Sequence, residues 1–192
     1  QFNEDFTIRK DFNLLDGSKV QTDAMFMSSD FQYLENNEFQ AVELPYGESK
    51  RFVMRVFLLK EGKDINEFVT ALTLSKMREW ESSFERMEGD LQLPKFKTEY
   101  STSLKDTLMS LGIVEAFDST GAHFDRMVNL TGAFNVYIGD VIHKTYIDVS
   151  ERGTEAAAVT SITFTTTSAG PGDSVQKIYF TVDKPFVFAI TE

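Results

Sequence analysis

Two histidines, His123 and His143, are the only imidazoles in this chain of 192 residues, and it contains no cysteine. No H-E-x-x-H spacing and no G-x-S-x-G elbow occurs, and Gly170-Pro171-Gly172 reads as a turn rather than a phosphate cradle. The acidic residues are scattered, and Asp118 and Asp125 read with the rest as a solvated face. No catalytic set, metal-ligand set or cofactor motif is legible, so the chain reads as a non-enzyme. The stretch that departs most from expectation begins at Gly153 and runs Gly-Thr-Glu-Ala-Ala-Ala-Val-Thr-Ser-Ile-Thr-Phe-Thr-Thr-Thr-Ser-Ala-Gly, then Pro171-Gly172-Asp173. After Glu155 it carries no charge until Asp173. Exposed loops usually hold more charge, whereas Val, Ile, Thr and Phe favour strands.

Alternation shows what the stretch could become. Thr154, Ala156, Ala158, Thr160, Ile162 and Phe164 would share one face of a strand, small at the start and bulky later. Glu155, Ala157, Val159, Ser161 and Thr163 would face solvent. The segment is thus suited to slot into a sheet. On pattern alone, an ordinary strand and turn ending at Ala169-Gly170-Pro171-Gly172 is the simpler reading.

The elements around this stretch are mostly strands with a helical island. Phe6 to Leu14 and Val20 to Met27 read as a hairpin about Asp16-Gly17-Ser18. Phe31 to Leu34, Phe39 to Leu44 and Phe52 to Leu59 follow as short strands, the last apolar enough to be buried on both faces. Ile65, Phe68, Val69 and Leu72 recur at helical spacing, and Ser75 to Glu81 predicts a second short helix. Met87 to Lys97 reads as extended, interrupted by Pro94. Ser101, Thr102 and Ser103 are placed to cap a helix carrying Leu104, Leu108 and Leu111, which Gly112 would end. Ala133 to Val149 alternates as one long interior strand.

Composition bounds the function. With 42% hydrophobic residues and eighteen Phe, the chain can build one sizeable, aromatic-rich core. Its net charge of -11 opposes nucleic acid and acidic membranes, since no basic stripe could displace phosphate counterions. No apolar run is long enough to cross a bilayer as a helix. Asn129-Leu130-Thr131 fits the N-glycosylation pattern, a short motif of little weight by itself.

Several stretches together resemble the serpin family: Val42-Glu43-Leu44-Pro45-Tyr46, Leu93-Pro94-Lys95-Phe96, Leu104 to Phe117, Ile142-His143-Lys144-Thr145 and Lys184-Pro185-Phe186-Val187-Phe188. The most specific is Val149-Ser150-Glu151-Arg152-Gly153-Thr154-Glu155-Ala156-Ala157-Ala158, which looks like the family's reactive-loop hinge. The resemblance implies an α+β serpin fold of mixed large sheets and a few helices, with an exposed reactive-centre loop over about 153–172. It covers roughly the C-terminal half of the fold as one partial domain, 1–192, without the N-terminal half or the last strand. Leu91 to Phe96 would be an edge strand of the sheet that holds Ala133 to Val149, and Ser174 to Phe180 a strand of another sheet.

The implied activity is inhibition of a serine protease by suicide. The protease attacks the loop, forms an acyl-enzyme, and is trapped when the hinge side enters the central sheet; a non-inhibitory carrier or chaperone is the alternative. The hinge is Gly153, Thr154, Glu155, Ala156, Ala157 and Ala158, with no charge or Pro at its leading inward positions. Family spacing puts the reactive bond at Thr167-Ser168, within a window from Thr165 to Ala169. A small Thr before the bond favours elastase-like or subtilisin-like partners, and the absence of Lys or Arg between Arg152 and Lys177 disfavours trypsin-like ones. Lys95 and Glu151 match a pair that bridges the top of the sheet; otherwise they are two solvated charges worth under about 1 kcal/mol. His143 matches a shutter histidine beneath the sheet's opening, or else a satisfied core histidine. The other implied partner is the N-terminal half of the same fold, and the implied setting is extracellular or secreted, with an intracellular one open.

Overall fold

The computed structural model describes residues 2–47, 49–124, 126–127, 135–154 and 177–192. It divides into two compact units, one formed by Gln1–Phe96 with Asp148–Glu192 and the other by Lys97–Ile147.

The first unit is built on a sheet of seven strands among the described residues. These are β1 (Ile8–Asn13), β2 (Lys19–Glu35), β3 (Phe39–Tyr46), β4 (Phe52–Leu59), β5 (Glu85–Pro94) and two late strands, β9 (Ile178–Thr181) and β10 (Val187–Thr191). Their order is β10-β4-β3-β2-β5-β9, with β1 also paired to β2. The β1–β2 hairpin turns at Gly17, whose φ of 82° is the left-handed backbone a glycine adopts at little cost.

Two separate strands predicted at Val20 to Met27 and Phe31 to Leu34 are in fact one, β2. Ser28, Ser29 and Asp30 look like a break, but they lie opposite Asp90, Gly89 and Glu88 of β5. That ladder supplies their backbone partners, so pairing overrides local preference. Pro45 likewise does not start the turn: β3 runs through it to Tyr46, where Pro45 lies opposite Val53, and the chain turns at Gly47 with φ 60°.

β4 has the expected bounds and the expected burial. Met54, Val56, Phe57, Leu58 and Leu59 are all buried. Two helices cover one face, α1 (Ile65–Ala71), begun by Asp64 accepting from the Asn66 and Glu67 amides, and α2 (Leu74–Glu81), begun by Thr73 accepting from Lys76. Phe39, Ala41, Phe57, Leu59, Phe68 and Met77 form the core there. Ring centroids of Phe39 stand 5.3 Å from Phe57 and 4.8 Å from Trp80, both edge-to-face.

Among these apolar groups Arg55 of β4 is 7% exposed. Its guanidinium donates to Glu43 Oε1 at 2.8 Å, meets Glu81 Oε1 at 3.0 Å and donates to Thr191 Oγ1 at 2.7 Å, tying β3, α2 and β10 together. Arg55→Ala would strand two carboxylates and is expected to cost about 3–5 kcal/mol, with Arg55→Met costing less than Arg55→Ala because it keeps packed volume. Urea midpoints of the two variants measure this.

A three-stranded sheet has the order β6 (Phe96–Ser103), β7 (Ile142–Ser150), β8 (Gly153–Thr154). Two expectations change here. Leu91 to Phe96 is not an edge strand beside β7; Leu91 to Pro94 belong to β5, which lies between β2 and β9 in the seven-stranded sheet, and β6 is the strand beside β7. The Lys95 amide still donates to the carbonyl of Asp23 in β2 at 2.8 Å, and β6 begins at Phe96, so the chain changes sheets between Lys95 and Phe96.

The long strand from Ala133 is also shortened to β7. Residues 133 and 134 lie outside the described set, and 135–141 form no ladder. Their donors go elsewhere: Val136 and Val141 amides to the preceding Asn135 and Asp140 side chains at 3.0 and 2.7 Å, and Ile138 to the Ala116 carbonyl at 2.9 Å.

In the second unit Ser101 to Ser103 belong to β6, Leu104 at the start of α3 (Lys105–Ser110) makes no side-chain cap bond, and the Ser103 hydroxyl accepts from the Lys105 amide at 3.3 Å. Gly112, at φ 96°, ends that helix as expected.

Candidate functional site

The loop's upstream root is built where three chain segments of the first unit meet. β7 ends at Ser150, Glu151 and Arg152 make a tight turn, and Gly153 pairs back to Ser150 with a left-handed φ of 99°. That turn places the Glu151 side chain inward, 6% exposed. Both carboxylate oxygens are used: Oε1 accepts from the Thr7 hydroxyl at 2.6 Å, and Oε2 meets Lys95 Nζ at 2.9 Å. Lys95 is held for this by its bond to Asp23 at the change of sheet. Outside it, Arg152 Nε reaches Glu4 Oε1 at 3.3 Å on the surface.

Lys95 and Glu151 are therefore paired, with the carboxylate buried and the Lys95 side chain 39% exposed. Burial pushes the Glu151 carboxyl up, but the Thr7 hydroxyl and the Lys95 ammonium outweigh it and hold the group below its usual 4.5. Lys95 rises above 10.5, chiefly through its bond to Glu151, against a smaller opposing effect of burial. A lowered carboxyl stabilises the fold fully above 4.5 and loses that contribution as pH falls through its folded value. A raised ammonium contributes fully below 10.5 and fades as pH rises past it. The stability difference between the wild type and Glu151→Gln should hold steady from roughly pH 5 to 9 and shrink in acid, as urea midpoints across pH would record.

Of the other predicted residues, Gly153 opens β8 and the Thr154 backbone pairs with Val149. The Thr154 side chain, Glu155, Ala156, Ala157 and Ala158, and the bond Thr167-Ser168, lie outside the described residues, as does Asn129. His143 lies in the second unit on β7 and is exposed, so it is not a core histidine in this chain. Its strand neighbours Ile142, Lys144, Thr145 and Tyr146 are exposed too. Thr7 was missed from the sequence, because a threonine 144 positions away from its partner carries no local signal. Downstream, Phe186 and Phe188 pack their rings 5.5 and 5.1 Å from Phe96.

A Lys–Glu bridge with a buried carboxylate directly before a small-residue hinge, together with the strand order around it, can be compared with known proteins. The profile of the family described as Serpin (serine protease inhibitor) matches residues 1–192. The chain belongs to the serpin family. A serpin-like protein of Methanosarcina mazei is 34% identical over 194 residues, covering 100% of this chain and 43% of the relative. Tengpin, a thermophilic serpin solved in its native state, is 30% identical with a TM-score of 0.73, over 98% of this chain and 47% of that one. A complex of thyroxine-binding globulin with thyroxine shares the fold at a TM-score of 0.75 and 23% identity, over 100% and 48% of the two chains. This serpin chain thus spans about half the length of the relatives it matches.

Proposed function

We propose that the full-length protein is a suicide-substrate inhibitor of serine proteases with an elastase-like or subtilisin-like primary specificity. One observation carries the reading: the bridged Glu151 fixes a root beyond which, after Glu155, the sequence is uncharged and strand-forming, small side chains first. The protease attacks the Thr167-Ser168 bond, the acyl-enzyme forms on Thr167, and Ser168 leaves as the new amino terminus. The Gly153 side then enters the central sheet, which the N-terminal half of the same fold must complete. Insertion gains about 1 kcal/mol per ladder hydrogen bond and about 1.5–3 kcal/mol for each of Ile162 and Phe164, against about 1–2 kcal/mol per residue of ordering. These terms nearly cancel, so the driving force is relief of an incompletely filled sheet, and the uncleaved inhibitor is kinetically trapped.

Incubating the full-length protein with elastase, subtilisin and trypsin tests this. A covalent complex that survives boiling in detergent is expected with elastase or subtilisin, with cleavage at Thr167-Ser168, or within the window from Thr165 to Ala169, releasing the new amino terminus. Clean cleavage in the loop without any such complex would instead mark a non-inhibitory serpin of the carrier or chaperone kind.

A further inference from the structure

One short segment of chain holds both ends of the loop region. Lys95 grips Glu151 at 2.9 Å, and Asp90 Oδ1 meets Lys177 Nζ at 3.0 Å. Glu151 and Lys177 are the residues that flank positions 152–176. Asp90 and Lys95 are five positions apart, which at strand rise is about 17 Å. The chain between the two roots could span about 85 Å if fully extended, so the roots are held about fivefold closer than it could reach.

The downstream grip has a second component. β9 is at the end of the sheet order and pairs with β5 in parallel over four positions, beginning with Gly89 opposite Ile178. A Cβ on Gly89 would stand 2.2 Å from Ile178 Cγ1 and 2.8 Å from the Ile178 carbonyl oxygen. The Gly89 backbone is not left-handed, so the residue is glycine for space: β9 seats on β5 closer than any side chain there would allow. The Asp90–Lys177 pair flanks this close approach, Asp90 directly following Gly89 in β5 and Lys177 directly preceding Ile178 at the start of β9.

We propose that β5 and Lys95 act as a ruler that sets the separation of the two loop roots, with Gly89 and Asp90 as positioning residues for the downstream root. The effect on inhibition rests on the proposed function above, whereas the anchoring itself does not. In an inhibitor, fixed roots keep the bait in the arc that a protease cleft accepts, so a loosened downstream root lowers the fraction of productive encounters.

The test uses the full-length protein with Gly89→Ala, Asp90→Lys, Lys177→Asp and the exchanged pair Asp90→Lys with Lys177→Asp. Amide hydrogen exchange at Ile178–Thr181 should accelerate about tenfold or more in Gly89→Ala. It should accelerate about two- to fivefold in each charge variant and return toward wild type in the exchanged pair. The rate constant for trapping elastase or subtilisin should fall about two- to fivefold in the single charge variants and recover in the exchanged pair. Unchanged exchange at Ile178–Thr181 in Gly89→Ala and Asp90→Lys, or no recovery in the exchanged pair, would overturn the ruler. If the wild type traps no protease, the inhibitor reading fails, and the exchange data still decide whether β5 anchors the root.

Discussion

Replacing Glu151 by lysine is expected to destabilise the full-length protein by about 3–5 kcal/mol. The change removes the one carboxylate that satisfies both the Thr7 hydroxyl and the Lys95 ammonium, and it sets a second ammonium into a site that is 6% exposed. Asp23 and Glu4 also act on the Lys95 ammonium but less than Glu151 does, so they offset the repulsion between the two ammonium groups only in part, and Thr7 is left without its acceptor. Lys95→Glu in the same molecule restores opposite charges across the same gap and should recover a substantial part of the loss. Urea denaturation of the three proteins gives the comparison. A loss below about 1 kcal/mol for Glu151→Lys would assign the pair to the weak class of surface bridges. Because Glu151 directly precedes Arg152 and the left-handed Gly153, the same variant should alter how the loop's upstream root is held, not stability alone.

The second large effect is expected at Thr154. Its backbone pairs with Val149, and in the proposed mechanism it is the first residue to continue the ladder inward when the hinge enters the sheet. Thr154→Arg leaves the loop's cleavage sequence untouched but asks an unpaired guanidinium to enter a buried position, at a cost of several kcal/mol. Each 1.4 kcal/mol added to the insertion barrier slows that step about tenfold, while hydrolysis of the acyl-enzyme continues at its own rate. A penalty of about 3 kcal/mol therefore slows insertion about a hundredfold, and the variant should become a substrate, cut at the same bond and releasing active protease. Titration of elastase or subtilisin against the variant reads this as a collapse of covalent complex with cleaved product accumulating. Undiminished complex would mean that position 154 does not enter the sheet during trapping.

What the sequence made legible follows from how local each signal is. β4 and the two helices over it carry their apolar periodicity within themselves, and both helices have a capping side chain at the start, so their bounds were readable. β2 was not, because Ser28 to Asp30 are held in a strand by residues of β5 some sixty positions on, through pairings such as Ser28 with Asp90. The change of sheet after Lys95 has no local signal, because β5 and β6 run almost without a break from Pro94 to Phe96, and the lost strand before Ile142 depends on Asn135 and Asp140 capturing their own neighbours' amides. Alternation at 135–141 mimicked a strand that its backbone donors do not support. At the site, Lys95 and Glu151 were found only through the family resemblance, while Thr7, Gly89 and the Asp90–Lys177 pair needed coordinates, since no spacing connects them.

The claim on which the functional account stands is that the uncharged run from Ala156 onward adds itself to a sheet once the loop is cut. Amide hydrogen exchange of the full-length protein before and after nicking between Thr165 and Ala169 addresses that step directly. The account predicts that amides from Ala156 to Phe164 pass from fast exchange to protection comparable with β4, accompanied by a higher unfolding temperature. Fast exchange that persists after cleavage, or protection already complete in the intact protein, would contradict it.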